Sequence, residues 1–392
     1  MVKSNNADAF KMQCSMMTTT GVWPKENPSI YYKTKTVASW FFAIGLCVTM
    51  WMEALNDIKD FAKLSEILYI MVTVTAYIIK LSVFTYRKQS FLNMIKFLED
   101  PVFASYPDQA DHFMAKTISS STIIAKVYRY LVMCCVVLFF FYPILDNKTL
   151  PFPFPYDLGK YTPFMFGFQL IGAGYDAWNN SCIDTLCTSL MGIAAAQLDI
   201  LCEKIIHIKE QIVPQGDSEI SEETDKDTIE KLKQCVEHHL AIMLLVDYIE
   251  HIFTMGLFAQ FIASVIVICN TLFHFVLISI SSQFFMLADY LMILLVQLFI
   301  YCWYGNEIIF KSGQLGEACY MSNWELSGNE VRLYLFMIME RSKKPLRITT
   351  MKLSELSLTT FASVNMLLDY NIKVFDLYVC VYFRYFSGPI LV

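Results

Sequence analysis

Asp369, Lys373 and Asp376 stand at i, i+4 and i+7 in an otherwise apolar stretch near the end of this 392-residue chain, a spacing that puts all three on one helical face. A charge at the centre of a bilayer costs on the order of 2.5–3.5 kcal/mol on insertion scales, so ionisable residues there face a partner or a water-filled path. The three can pair along their own helix, or several copies of that helix can surround an aqueous pore, and the spacing fits both. Other reactive residues carry less. His238, His239 and His251 lack the i, i+4 histidine pair with acidic partners that membrane metalloenzymes use, so they are expected on a solvated helix and no metal is expected. The 12 cysteines show no paired metal spacing and read as small buried apolar residues. There is no Walker sequence, no Gly-rich phosphate loop and no basic-aromatic surface for nucleic acid. An enzyme, a cofactor and a nucleic-acid partner are therefore all unexpected.

The elements that carry these residues are membrane spans. At 56% hydrophobic and 17% charged residues the chain lies beyond the roughly 45–50% apolar and about 25% charged usage of soluble domains, so an all-α polytopic membrane protein is expected. Residues 1–35 are polar and lack a signal-peptide core, which leaves the first span as its own insertion signal. That span is an uncharged run at 36–52; the next three lie at about 64–86, 123–145 and 164–201. Between the second and third, residues 89–120 are amphipathic, with Pro101 and Pro107 breaking helix. Prolines at 151, 153, 155 and 163 exclude regular helix after the third span and make a lid or a plain connector. An acidic loop, 217–230, reads as solvated. No Asp, Glu, Lys or Arg occurs from 252 to 288, which splits near Ser279–Ser282 into spans at about 252–279 and 284–305. A charged segment, 306–353, precedes the seventh span, at about 354–383 within the region 354–392.

With the amino terminus inside, 23 Lys and Arg residues fall on the cytoplasmic side, and only Lys59, Lys63, Lys148 and Lys160 fall outside. Seven spans then place the carboxyl terminus outside, opposite to G-protein-coupled receptors. The sequon at Asn147 lies on the extracellular side and is a candidate glycosylation site, whereas the one at Asn179 falls inside a span and is discounted.

Aromatic and small polar residues gather in the outer halves of four spans: Tyr69, Val72, Thr73 and Ala76 in the second; Val137, Phe140 and Phe141 in the third; Phe168, Ile171 and Tyr175 in the fourth; Phe285, Asp289 and Met292 in the sixth. A pocket among them would be apolar with a few polar handles, as small-molecule sites are. Interfacial aromatics and ordinary helix packing would give the same pattern.

Gly305-Asn306-Glu307, Ala318-Cys319-Tyr320, Asn323-Trp324, the run Met339 to Pro345 and the run Leu356 to Phe361 resemble, in order, the carboxy-terminal signature of insect odorant receptors. The resemblance implies an odorant-specific subunit of a ligand-gated, non-selective cation channel, forming a heteromeric tetramer with the odorant co-receptor through the cytoplasmic ends of spans four to seven. It implies a small hydrophobic volatile ligand, a lipid environment in the plasma membrane of olfactory sensory neurons, and an outer pocket among spans two, three, four and six. It further implies a seventh span that lines the pore, with the gate at Val374 by position from Phe361. Two alternatives stand beside it. A metabotropic seven-span receptor would carry Asp-Arg-Tyr after span three and Asn-Pro-x-x-Tyr in span seven, and a gustatory-receptor-like channel would show Thr-Tyr and Gln-Phe in span seven; none of these is present.

Overall fold

A computed structural model of the chain describes residues 4–145, 149–208, 222–277, 282–322, 324–364 and 366. Within them the chain is helical almost throughout. In order come a 3-10 turn at Asn6–Phe10, then α1 (Lys11–Thr20), α2 (Ile30–Asn56), α3 (Phe61–Tyr86), α4 (Lys88–Phe97), α5 (Pro101–Ala104) and α6 (Asp111–Leu145). The longest helices follow: α7 (Thr162–Ile206), α8 (Glu222–Leu277) and α9 (Ser282–Tyr320), then α10 (Asn329–Ser342) and a hairpin of β1 (Thr349–Thr350) and β2 (Ser354–Glu355). Helix resumes at 358–364.

Caps explain several of the boundaries. Ser29 and Asp60 accept hydrogen bonds from the backbone N–H of Tyr32 and Lys63, which fixes the starts of α2 and α3. Pro101 starts a helix here as well as ending one, because it occupies the first turn of α5, where its missing N–H costs nothing, behind the cap Asp100.

Six helices, α2, α3 and α6 to α9, are long and apolar enough to cross a membrane among the described residues. At 1.5 Å per residue the 56 residues of α8 span about 84 Å, far beyond the roughly 30 Å hydrocarbon core, so the long helices continue into water as a bundle. Their packing explains three differences from the sequence reading. The third span belongs to a helix beginning at Asp111, a dozen residues before its apolar run. The amino-terminal segment is folded against the bundle: Phe10 and Met17 are buried, Gln13 donates to Ser189 Oγ at 3.2 Å, and Thr20 donates to Asn179 Oδ1 at 2.6 Å. His238 and His239 are not on a solvated face, because α8 lies against α7 there. Both are buried, and His238 Nε2 lies 2.9 Å from Gln197 Oε1.

Helix α7 is the axis of the fold. Residues 181–198 are buried without a break, as expected of a helix surrounded on all sides, and α2, α3, α6, α8, α9 and α1 all pack on it. One hydrophobic core surrounds the α1 end of the bundle, and a second surrounds the opposite end, where Leu46, Ile70, Val132, Phe139 and Ile293 meet. The cysteines behave as expected: among the described residues all are free, and most are buried or half-buried.

Candidate functional site

The second core borders a cavity of about 120 Å³. Helix α3 supplies Ile70, Thr73, Val74 and Tyr77 to its wall, and α6 supplies Tyr128, Val132, Cys135, Val136 and Phe139. From α7 come Ala173, Asp176, Ala177, Asn180 and Ser181, and from α9 Tyr290, Ile293, Leu294 and Gln297; Leu46 of α2 and Phe152 complete it. On each long helix these positions recur at three- and four-residue steps, so each presents one face to a shared space.

Phe152 closes one end. Alternating prolines leave its loop without a regular hydrogen-bonding pattern, and the buried Gln169 supplies a substitute. Its carbonyl accepts from Phe152 N–H at 3.2 Å and its amide donates to Phe152 O at 3.1 Å, a two-point clamp that holds the ring 5.3 Å from that of Phe139. On the side wall Thr73 and Tyr290 hydroxyls lie 2.5 Å apart, and Thr73 also donates to Tyr69 O at 2.9 Å.

The opposite end is polar. Lys80 Nζ, on α3, lies 2.6 Å from Asp184 Oδ1 on α7 and donates to Asn180 Oδ1 at 2.9 Å. Asp184 also accepts from Tyr301 at 2.6 Å, from Tyr128 at 3.5 Å and from Gln297, and Gln260 of α8 donates to Gln297 at 2.7 Å. Four helices thus meet at one buried carboxylate, and α8 joins them through Gln297. Burying a charge is tolerable only with such compensation. Asn180, Gln297 and Tyr128 belong both to this network and to the cavity wall, so whatever occupies the cavity touches the network directly.

Of the residues singled out in the sequence, Thr73 lines this cavity. Tyr69 stands behind the wall with its ring 5.3 Å from that of Tyr290. Val72 and Ala76 lie on another face of α3, in a shallow groove beside Trp51 and Phe258. Phe168 and Tyr175 stack on Phe42 in a seam between α2 and α7, and Phe140 contacts Phe141 and Phe166. Val137, Phe141, Ile171, Phe285 and Met292 are exposed on the outside of the bundle, the last two at 62% and 56%. Asp289 is half-buried. Asp369, Lys373, Val374, Asp376 and Asn147 lie outside the described residues. Of the aromatics chosen, Phe141 and Phe285 face outward, as interfacial rings do, while Tyr69, Phe140, Phe168 and Tyr175 pack against neighbouring rings without lining this cavity. The polar wall residues Asp176, Asn180, Tyr290 and Gln297 were missed, although a polar residue within an apolar span marks an interior-facing position.

After α9 the chain is anchored against the bundle. Thr254 of α8 donates to Thr349 O at 3.0 Å and accepts from Met351 N–H at 2.8 Å, which holds the hairpin against α8. Its turn places Met351 and Lys352 at φ 53° and 60°. Gly305 on α9 lets Leu356 approach so closely that an added Cβ would lie 2.5 Å from Leu356 Cβ and nearer still to its carbonyl oxygen. Ser357 Oγ then accepts from Thr360 N–H at 3.3 Å as the next helix starts, and Phe361 packs edge-on against Phe299 at 5.5 Å.

Long apolar helices around an apolar-walled cavity define a multi-pass membrane protein. The family model for 7tm odorant receptors matches residues 60–367, and the chain belongs to that family. Odorant receptor Or1 of Anopheles gambiae is 25% identical over 350 residues, covering 81% of this chain and 82% of that protein. Odorant receptor 94a of Drosophila melanogaster is 22% identical over 367 residues, covering 87% and 90%. Among solved structures, the insect olfactory receptor OR5 from Machilis hrabei matches with a TM-score of 0.83 at 16% identity, covering 94% of this chain and 97% of that one. The same receptor in complex with eugenol matches with a TM-score of 0.81. The chain thus has the seven-helix polytopic membrane fold, with six of its spans among the described residues.

Proposed function

We propose that this chain is the odorant-binding subunit of a ligand-gated, non-selective cation channel that assembles with the odorant co-receptor as a heteromeric tetramer in the plasma membrane of olfactory sensory neurons. The observation that carries this reading is the cavity between the helices, whose apolar wall and polar end suit a small hydrophobic volatile. The eugenol complex of the Machilis hrabei receptor supports a small-molecule ligand for this fold.

The polar end offers a route from ligand to gate. Gln297 and Tyr301 lie on α9, and one further turn along the same helix Gly305 seats Leu356, immediately before the final helix. A ligand that fits the cavity better in one arrangement of α9 than in another biases where that helix begins, and differential affinity is all a population shift requires. In this reading the amino terminus is cytoplasmic, residues 36–305 hold the pocket, 306–353 form the cytoplasmic anchor, and 354–392 carry the pore. There Val374 is the gate, and Asp369, Lys373 and Asp376 face the conduction path. Asn147 is the extracellular glycosylation site. Exposed Phe310, Leu333, Phe336 and Met337 on α9 and α10 supply apolar surface for packing between subunits.

Whole-cell current in cells expressing this chain with and without the odorant co-receptor, screened against volatiles with G-protein signalling blocked, tests the reading. Current that appears only with the partner supports it, and second-messenger responses without current exclude it.

A further inference from the structure

Two residues on the cavity wall, Tyr77 and Asp176, carry side-chain oxygens without a hydrogen-bond partner, and of the two Asp176 is the carboxylate. Asp176 on α7 is 6% exposed, lines the cavity beside Leu46 and Ala177, and has no hydrogen-bond partner on either carboxylate oxygen. Two turns along the same helix Asp184 is buried as deeply but fully engaged. The nearby cations are engaged elsewhere: Lys80 by Asp184 and Asn180, and Arg129 by Cys182 Sγ at 3.7 Å and by the Trp178 ring. A buried polar group without a partner is costly, and more so when charged, so native proteins keep very few without a use. Around it the cavity presents Tyr77, Tyr128 and Tyr290, whose ring faces attract cations.

We propose that Asp176 is the polar anchor of the cavity, and that the ligand is a small, mostly apolar molecule carrying a hydrogen-bond donor, with a protonated amine preferred over an alcohol. An ammonium group gives the carboxylate both a donor and the opposite charge. A hydroxyl gives it a donor alone. An ether or a hydrocarbon of the same shape gives neither and leaves the carboxylate as lonely as in the empty cavity. The inference rests on reading the cavity as the ligand site but does not depend on the channel.

The test uses four probes with one skeleton: 2-phenylethylamine, 2-phenylethanol, its methyl ether and ethylbenzene. Two readouts run in parallel, co-receptor-dependent current and thermal stabilisation of the purified full chain in detergent. The amine is expected to act at a concentration about tenfold below that of the ether, the size expected of one charge-assisted hydrogen bond, with the alcohol between them. In Asp176→Asn the amine should lose that advantage while the alcohol stays within about threefold, since an amide oxygen still accepts a hydrogen bond. In Asp176→Leu all four probes should become equivalent. Without ligand both variants should melt no lower than the unmodified chain, because the carboxylate makes no hydrogen bond among the described residues. Donor-dependent stabilisation without any current would count against the channel and support the anchor. Equal stabilisation by all four probes or by none, an amine preference that persists in Asp176→Leu, or a variant that melts lower would each overturn the anchor.

Discussion

Lys80 Nζ lies 2.6 Å from Asp184 Oδ1 with the two side chains 3% and 0% exposed, so a buried ion pair ties α3 to α7 at the polar end of the cavity. Asp184 also accepts from Gln297 and Tyr301, so the pair lies between the cavity and the residues that lead to the final helix.

Breaking one half of this pair should be more damaging than removing both. Asp184→Asn, like Lys80→Met, breaks one half of the pair; it leaves the Lys80 ammonium buried without its counter-charge and should destabilise the chain by about 3–5 kcal/mol. The double substitution Lys80→Met, Asp184→Asn should recover much of that loss. Thermal melting of the four proteins in detergent reads this as a double-mutant cycle, and additive single effects would mean the pair contributes no coupling.

Gly305→Ala should uncouple ligand binding from current. The added methyl group meets Leu356 backbone and Cβ, where neither can give way as a flexible side-chain end would, and overpacking of this kind costs typically 1–3 kcal/mol. The cavity lies elsewhere, so ligand-induced thermal stabilisation should survive while co-receptor-dependent current falls. Loss of both would place Gly305 in global folding.

Neighbouring residues on α9 should answer oppositely to the same substitution. Ile293 lines the cavity and Met292 faces outward. Ile293→Trp should fill the space and raise half-maximal ligand concentrations by about tenfold or more, whereas Met292→Trp should move them by less than about threefold. Dose-response curves for the two variants decide whether the cavity or the outward face holds the ligand.

Loosening the Phe152 clamp should speed ligand exchange. Gln169→Ala orphans both backbone groups of Phe152 and should cost about 1–3 kcal/mol of local order in the loop. Current should then decay faster after ligand washout, and bulkier volatiles should gain activity. Unchanged decay would make Phe152 a fixed wall and exclude a mobile lid.

How far the site is legible in the sequence differs from helix to helix. On α3, Thr73 is both the residue expected from the sequence and a wall residue. On α7 and α9, the wall is formed by Asp176, Asn180, Tyr290 and Gln297; Asp176 is one position from Tyr175, and Tyr290 is two from the exposed Met292. A one-residue step turns a helix by about 100°, enough to exchange inside for outside. Asp176, Asp184 and Lys80 were visible as charges within apolar runs, but nothing local distinguishes the one with a partner from the one without.

The sequence by itself determined that this is a membrane protein of long apolar helices, where those helices lie, and that a proline-rich loop follows the third. Those properties depend on the length of uncharged runs against a hydrocarbon thickness and on backbone donors that proline lacks, and both are local. The tertiary structure decided which face of each helix looks inward. It also decided that residues 4–20 pack against the bundle, and that His238 bonds Gln197 away from water. In a soluble helix the apolar stripe announces its buried face. In a bilayer, lipid and protein interior are equally apolar, so the stripe vanishes and only packing against neighbours fixes the rotation.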